Sequence, residues 1–221
     1  MASAQFWNIA HAVLFAAWLA GDLTVFALTA RVKNAGLDVP ARMKLVLAAV
    51  RVHVVPKLCF ALMLITGIEL VGAVGVYPLT PGLRAAAYIM SVSWAAVIVA
   101  GAAAPGTALA ANLRIIELVF EAFTGLAFVA YGLNSLATGA PIDDTWFAAK
   151  LFLFGLVFWT AIAADVGFRP FYAPFSETVT DGATPEREEA IAAAINHSLA
   201  AKGALLVLMI AIAFLGRFKP F

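Results

Sequence analysis

The chain has 221 residues, of which 64% are hydrophobic and only 12% are charged, and its mean hydropathy is +0.97. Soluble domains are only about half apolar, so this composition excludes a soluble domain and predicts an integral membrane protein whose partner is the lipid bilayer. The formal net charge of +1 gives no reason to expect a nucleic-acid partner.

Six apolar segments are long enough to cross a membrane, which takes about 20 mostly apolar residues. They predict an all-α bundle of six transmembrane helices that forms one integral membrane domain over residues 1–221. Turn-forming sequences separate the segments where loops are needed: YPLTPG follows the second, APG the third and TGAPIDD the fourth. The predicted spans are 6–29, 54–76, 84–104, 114–137, 147–168 and 199–216.

The first segment has no basic residue before it and no small-residue cleavage site after it. We therefore expect it to be a membrane span and not a removable signal peptide. The single cysteine, Cys59, lies in the second apolar run, so an internal disulfide is excluded and the thiol is expected to pack against lipid or the core.

The loop between the first two spans is basic, whereas TGAPIDDT between the fourth and fifth spans is acidic. Cytoplasmic loops carry the excess of Lys and Arg, so the first loop is expected inside. An even number of spans then places both termini outside, in a multi-pass protein of the bacterial inner membrane. The loop carries Arg31, Lys33, Arg42, Lys44 and Arg51 against one acid, Asp38.

A stretch around the second span recurs near the sixth. PARMKLVLAAVRVHVVPKL reads Pro-x-Arg, a β-branched residue, Ala-Ala, His and Lys, and PEREEAIAAAINHSLAAKG repeats these in order with one-residue slips. The alignment pairs His53 with His197 and Lys57 with Lys202. This pattern predicts an internal repeat of spans one and two in spans five and six.

The repeat divides the domain into three hairpins. Residues 6–76 and 147–216 are the two copies, related by a pseudo-two-fold axis along the membrane normal, and residues 84–137 form an inserted hairpin. Each copy contains one long helix that opens at a proline, where the missing N–H costs nothing, with Asp38 or Thr184 ahead of it as the capping residue.

Ionisable residues inside membrane spans are costly and usually face the bundle interior. His53 and His197 lie near the starts of spans two and six, and Asp22 and Asp165 near the ends of spans one and five, so all four are expected at one side of the membrane. Two facing imidazoles suit a six-coordinate haem b, and imidazoles with carboxylates suit a transition metal.

In the haem hypothesis, Arg51, Lys57 or Lys202 would pair with the haem propionates, and the carboxylates would orient the imidazoles. The structural alternative is that each histidine lies at the membrane interface, bonded to water or a backbone carbonyl. Each aspartate would then pair with a basic neighbour such as Arg31 or Arg169.

Two further acids suggest a different function. Glu117 and Glu121 are four residues apart, hence on one face of the fourth span, and could hold a proton or a cation between them. With Asp22 and Asp165 they would mark the path of a small transporter for a metal ion or a proton-coupled solute. The alternative for this pair is an ion pair with Arg114.

His11 starts the first span at the opposite side of the membrane, level with Lys150 at the start of the fifth. The two could form a small polar cluster with Glu69. Alternatively, His11 is an interfacial histidine beside Trp7, and Lys150 extends its ammonium to the interface beside Trp146.

Two short motifs point to a known group of proteins. HAVLFAAWLAG, with His11, Trp18 and Gly21, resembles the first helix of the HemJ-type protoporphyrinogen oxidases and of the related CopD-like copper-resistance membrane proteins. WFAAKLFLFGLVF, with Trp146 and Lys150, looks like the Trp-x-x-x-Lys opening of a later helix in that group. The resemblance implies an all-α membrane bundle, with His11 as a haem ligand and Lys150 as a functional, catalytic partner.

Three functions therefore stay open. The first is a haem-binding or redox-active membrane protein, which as an enzyme would be a membrane oxidoreductase. The second is the small transporter for a metal ion or a proton-coupled solute. The third is a structural or assembly subunit of a homo-oligomer or membrane complex, in which every buried polar group is satisfied internally.

Overall fold

In a computed structural model, which describes residues 2–220, all regular secondary structure is helical. A short 3-10 helix, Arg169–Phe171, connects the fifth and sixth α-helices. The α-helices of the described residues are α1 (Ala2–Val32), α2 (Val39–Val74), α3 (Pro81–Ala103), α4 (Ala108–Thr138), α5 (Thr145–Phe168), α6 (Tyr172–Asp181) and α7 (Pro185–Phe218).

Within the described residues, five helical stretches are long and apolar enough to cross a membrane, so this is a multi-pass membrane protein. They contain the first, second, third, fifth and sixth predicted spans and are α1, α2, α3, α5 with its continuation into α6, and α7. The fourth predicted span lies in α4, which is not among the five and which carries Arg114, Glu117 and Glu121 in its first half.

The six long helices form a ring in chain order. Each helix from α1 to α4 packs against the next, and α7 packs against both α5 and α1. Short connections make neighbouring helices antiparallel. The ends of α1, α3 and α5 and the starts of α2, α4 and α7 therefore meet at one end of the bundle, here named the proximal end; the opposite end is the distal end.

The two longest helices begin as the sequence predicts. The Asp38 side chain accepts a hydrogen bond from the backbone N–H of Ala41 at 2.7 Å, and the Thr184 hydroxyl accepts one from the N–H of Arg187 at 3.3 Å. α2 has 36 residues and α7 has 34, which makes each about 50 Å long. A hydrocarbon core is only about 30 Å thick, so both helices extend into water at the proximal end.

An aromatic layer fills the middle of the ring. The ring of Phe60 lies 4.7 Å from Trp18, 5.2 Å from Trp94 and 4.4 Å from Phe158, measured between ring centroids. All four side chains are buried, and they come from α1, α2, α3 and α5. This dense aromatic packing lies between the proximal and distal ends of the bundle.

The segment after α5, which lies outside the six predicted spans, contains the 3-10 helix and α6. Phe171 and Phe175 are buried there against Val32, Ile191 and Ile195, which belong to the end of α1 and the start of α7. These contacts form a second hydrophobic core at the proximal end. Aromatic residues four apart on a short helix are the sequence signal that predicts it.

Arg42 contacts several parts of this second core and is itself only 1% exposed. Its guanidinium donates to Glu188 at 2.6 Å and to the Val32 carbonyl at 2.8 Å, and it lies 5.6 Å above the ring of Phe175. The residue that aligns with Arg42 in the predicted repeat is Arg187 of α7. It forms partly exposed ion pairs with Glu177 and Asp181 of α6 instead. The repeat stays a prediction.

α4 and α5 approach so closely that their backbones touch. A Cβ atom on Gly132 would lie 2.5 Å from the backbone nitrogen of Phe152, and one on Gly155 would lie 2.6 Å from that of Val129. Only glycine permits this distance, and such close approach is a typical way for helices to associate in lipid.

Cys59 is buried in the core.

Candidate functional site

A cavity of about 390 Å³ opens at the proximal end, and all six long helices contribute to its lining. Its outer part is lined by Val32, Val46 and Arg169, and its inner part by Val54 and Ile98, one turn from the aromatic layer. This volume lies within the range of about 300–1,000 Å³ that is typical of small-molecule sites. The cavity can therefore hold a small solute.

Eight ionisable side chains are gathered at the inner part of this cavity, and they come from five helices. We name them the ion cluster. Its members are Asp22 of α1, His53 and Lys57 of α2, Arg114, Glu117 and Glu121 of α4, Asp165 of α5 and Lys202 of α7.

The first part of the ion cluster is a buried ion pair between α1 and α7. The Lys202 ammonium lies 2.6 Å from Asp22 Oδ1, and the two residues are 7% and 2% exposed. The same ammonium lies 3.2 Å from His53 Nε2. An ammonium can only donate, so Nε2 is the acceptor here and His53 is neutral with its proton on Nδ1. The pair links the first and last helices of the ring.

In the second part, Lys57 and Arg114 share two carboxylates. The Lys57 ammonium lies 2.9 Å from Glu117 Oε1 and 3.4 Å from Asp165 Oδ2. The Arg114 guanidinium lies 2.5 Å from Glu117 Oε2 and also contacts Asp165. The angles at Arg114 are not those of hydrogen bonds, so the attraction between these groups is mainly between charges. This network joins α2, α4 and α5.

Glu121 lies one turn beyond Glu117 on the same face of α4 and is 2% exposed. Its Oε2 is buried without a hydrogen-bond partner, and no ion pair joins it to another of the described residues. Lys57 and Lys202 are close enough to act on its charge. With His53 neutral, the ion cluster holds three cations and four carboxylates, so one carboxylate has no counter-charge.

The two histidines of the predicted repeat are not brought together. His53 lines the cavity, whereas His197 is exposed and is absent from the cavity lining over the described residues. Helix geometry explains the difference. His53 precedes Lys57 by four residues and shares its face, whereas His197 precedes Lys202 by five, which places it about 140° around α7 from the buried lysine.

This arrangement does not fit a six-coordinate haem, because two imidazoles do not face each other and His53 Nε2 is already in contact with Lys202. Of the predicted metal ligands, Asp22 pairs with Lys202, and Asp165 contacts Arg114. Within residues 2–220 no group of three or more His, Cys, Asp or Glu side chains is arranged to hold a metal ion.

The polar residues of the distal end form separate contacts. His11 Nδ1 lies 2.9 Å from the Thr66 hydroxyl, and Glu69 pairs with Arg84 at 3.0 Å and not with His11. Lys150 packs against Gly216, where a Cβ atom would lie 2.9 Å from its ammonium. Among the described residues, no hydrogen bond or ion pair joins His11, Lys150 and Glu69 to one another, so the predicted cluster of these three residues is not formed.

Comparison of the chain with protein-family models, with curated proteins and with solved structures found no match. The resemblance to HemJ-type and CopD-like proteins therefore stays an expectation of the sequence. The function has to be inferred from the cavity and the ion cluster.

Proposed function

We propose that the protein is a six-span inner-membrane transporter that moves a small solute together with a proton. The observation that carries this proposal is Glu121, a buried carboxylate with an unpartnered oxygen, beside a cavity that other charges of the same cluster line. Intramembrane ionisable residues of this kind mark proton and substrate pathways in membrane transporters.

A total of six spans requires α4 to cross the membrane as well, and the two sides of α4 have opposite character. Ile115, Val119 and Phe123 are exposed, Phe123 to 75%, and form an apolar outer stripe suited to lipid. Glu117 and Glu121 lie on the inner side and are buried. A helix with charges facing the bundle and apolar residues facing outwards is compatible with crossing a membrane, and α4 packs between α3 and α5 in the ring.

The proton belongs on Glu121. An uncompensated charge buried away from water is costly, so a buried acid without a counter-ion takes up a proton instead. Lys57, Arg114 and Lys202 balance three of the four carboxylates, and Glu121 is the one that lacks contact with any of these cations. Loss of its proton would change the field at Lys57 and Lys202, which line the cavity. Proton binding and solute binding are coupled through this charge.

The proposal also assigns a side of the membrane. The proximal end carries the exposed basic residues Arg31, Lys33, Lys44 and Arg51, and the positive-inside rule makes it cytoplasmic. The cavity then opens to the cytoplasm and is closed from the other side by the aromatic layer. This is the geometry of one state of an alternating-access transporter, and a second state requires the aromatic layer to rearrange.

The proton site can be tested without knowledge of the solute. Infrared difference spectra, recorded during a pH titration of the protein in detergent, should contain the C=O band of a protonated carboxyl group near neutral pH. We expect this band to be lost in Glu121→Gln and kept in the control Glu189→Gln, which changes an exposed glutamate of α7. A band that persists in Glu121→Gln would refute the assignment.

Transport itself is tested in liposomes that contain a trapped pH-sensitive dye. A panel of short carboxylates, amines, amino acids and divalent cations is added outside, and protein-free liposomes give the background. We expect at least one class of solute to drive proton movement in the wild type and in Glu189→Gln but not in Glu121→Gln. If no class does so, the transporter proposal is wrong.

A further inference from the structure

Resting on this proposed function, we propose that the solute is a short organic carboxylate, which binds with its negative end between Arg169 at the rim of the cavity and Lys202 and Lys57 at its inner end. The cavity lining carries four permanent cations, with Arg114 as the fourth, and only two of the four carboxylates of the ion cluster. The other two carboxylates, Asp22 and Glu121, do not line the cavity.

The cations of the lining keep hydrogen-bond donors that the protein does not use. An ammonium has three donors. Lys202 directs two of them to Asp22 and His53, which leaves one donor free. The Lys57 ammonium lies close to Glu117 and Asp165 but makes no hydrogen bond to either of them among the described residues, so its donors are also available. The proton on His53 Nδ1 is a further donor at the same level.

Three of the four carboxylate oxygens of the lining, by contrast, already contact a cation. Both oxygens of Glu117 contact a cation, and one oxygen of Asp165 contacts two. Arg169 at the rim is exposed, and no ion pair or hydrogen bond of its side chain occurs within residues 2–220. Spare donors with few spare acceptors are suited to an anion.

The walls of the cavity between these groups are apolar. Val25, Phe26, Val50, Val97 and Leu113 line it. An inorganic anion such as phosphate would leave these walls without contacts, whereas a short hydrocarbon chain would pack against them. The lining therefore favours an organic carboxylate over phosphate or sulfate.

The charge of the ion cluster links this anion to the proton. When Glu121 is protonated, Lys57, Arg114 and Lys202 face only three carboxylates, and Arg169 remains as an excess positive charge at the cavity. An anion then enters a site of net positive potential. When Glu121 loses its proton, this excess is cancelled, and the anion is bound less tightly.

Binding is measured by isothermal titration calorimetry of the full-length protein in detergent, with three probes of equal chain length: butyrate, butylammonium and butanol. Inorganic phosphate is a fourth probe. We expect only butyrate to bind, and we expect Arg169→Gln to raise its Kd about fivefold. The control Arg31→Gln changes an exposed arginine at the same end, outside the cavity, and should leave the Kd unchanged.

Binding of butylammonium in place of butyrate would overturn the assignment of an anion, and tighter binding of phosphate would overturn the assignment of a carboxylate. An unchanged Kd for butyrate in Arg169→Gln would overturn the assignment of Arg169 to the binding site. These results are separable from the proposed function. Proton movement driven by amines would support the transporter function but exclude a carboxylate as the solute. Butyrate binding without any Glu121-dependent proton movement would support the carboxylate site but exclude the transporter function.

Discussion

Replacement of Lys202 by methionine should be among the most damaging single substitutions in the chain. The methionine fills a similar volume but removes the ammonium that lies 2.6 Å from Asp22 and 3.2 Å from His53. Asp22 is only 2% exposed and would remain as a buried carboxylate without a partner. Breaking a buried ion pair from one side in this way typically costs about 3–5 kcal/mol.

The size of this effect follows from two contributions. The Coulomb attraction across 2.6 Å is about 6 kcal/mol at an effective dielectric constant of 20, and the aspartate regains little solvation after the lysine is lost. The His53 ring also loses its donor, which adds about 1 kcal/mol. Because removal of the lysine also removes its own desolvation cost, the net loss is smaller than the sum of these contributions, and we expect Lys202→Met to lower the free energy of unfolding by about 4–6 kcal/mol.

The assay is reversible unfolding with SDS in mixed micelles, followed by tryptophan fluorescence, for Lys202→Met, Asp22→Asn and the double variant. The double variant should recover at least about 2 kcal/mol relative to the sum of the single effects, since neither charge is then left alone. Lys33→Met is the control, because Lys33 is exposed and only donates to Asn196; its effect should stay below about 0.5 kcal/mol. A loss below 1 kcal/mol in Lys202→Met, or additive effects in the double variant, would refute the buried pair.

Three further predictions concern packing, the proximal core and haem. Gly132→Ala should lower the free energy of unfolding by about 1–3 kcal/mol, because its Cβ would meet the backbone of α5 at 2.5 Å; Gly203→Ala, which meets no atom within 4 Å, should be neutral or stabilising. Arg42→Met should cost about 3 kcal/mol in the same SDS assay, whereas Arg187→Met should cost less than about 1 kcal/mol because its ion pairs are partly exposed. Protein purified after growth with ample haem should show no Soret band; a band that weakens in His53→Ala would restore the haem hypothesis.

The helices could be predicted from the sequence because their signals are local. The loops at YPLTPG, APG and TGAPIDD separate the helices that the structure contains, and Asp38 and Thr184 form the predicted caps. Length and hydropathy located the membrane segments for the same reason. α6 was missed because it covers only about three turns. The buried side chains of Phe171, in the 3-10 helix, and Phe175, in α6, become meaningful only when the ends of α1 and α7 are in place.

The sequence marked the residues of the ion cluster, together with His197, as ionisable groups within the spans, but it did not indicate which of them form pairs. The structural alternative for Asp22 was an ion pair with a near neighbour such as Arg31, yet Asp22 contacts Lys202, which is 180 positions away in the chain. That pairing depends on closure of the ring between α1 and α7, and neither helix contains a signal for it. The pairing of Glu117 with Arg114, by contrast, spans three residues of one helix and was foreseen.

The energetics of the ion cluster favour a functional explanation over a structural one. Replacing a buried ion pair by well-packed apolar residues is often neutral or stabilising, and the ring already has an aromatic layer and the close contact of α4 with α5 to hold it together. A bundle that needed only stability would gain from apolar residues at these positions. Removing Asp22 and Lys202 together should therefore leave a folded protein, and any loss of proton-coupled solute movement in that double variant would belong to the function of the cluster and not to its contribution to the fold.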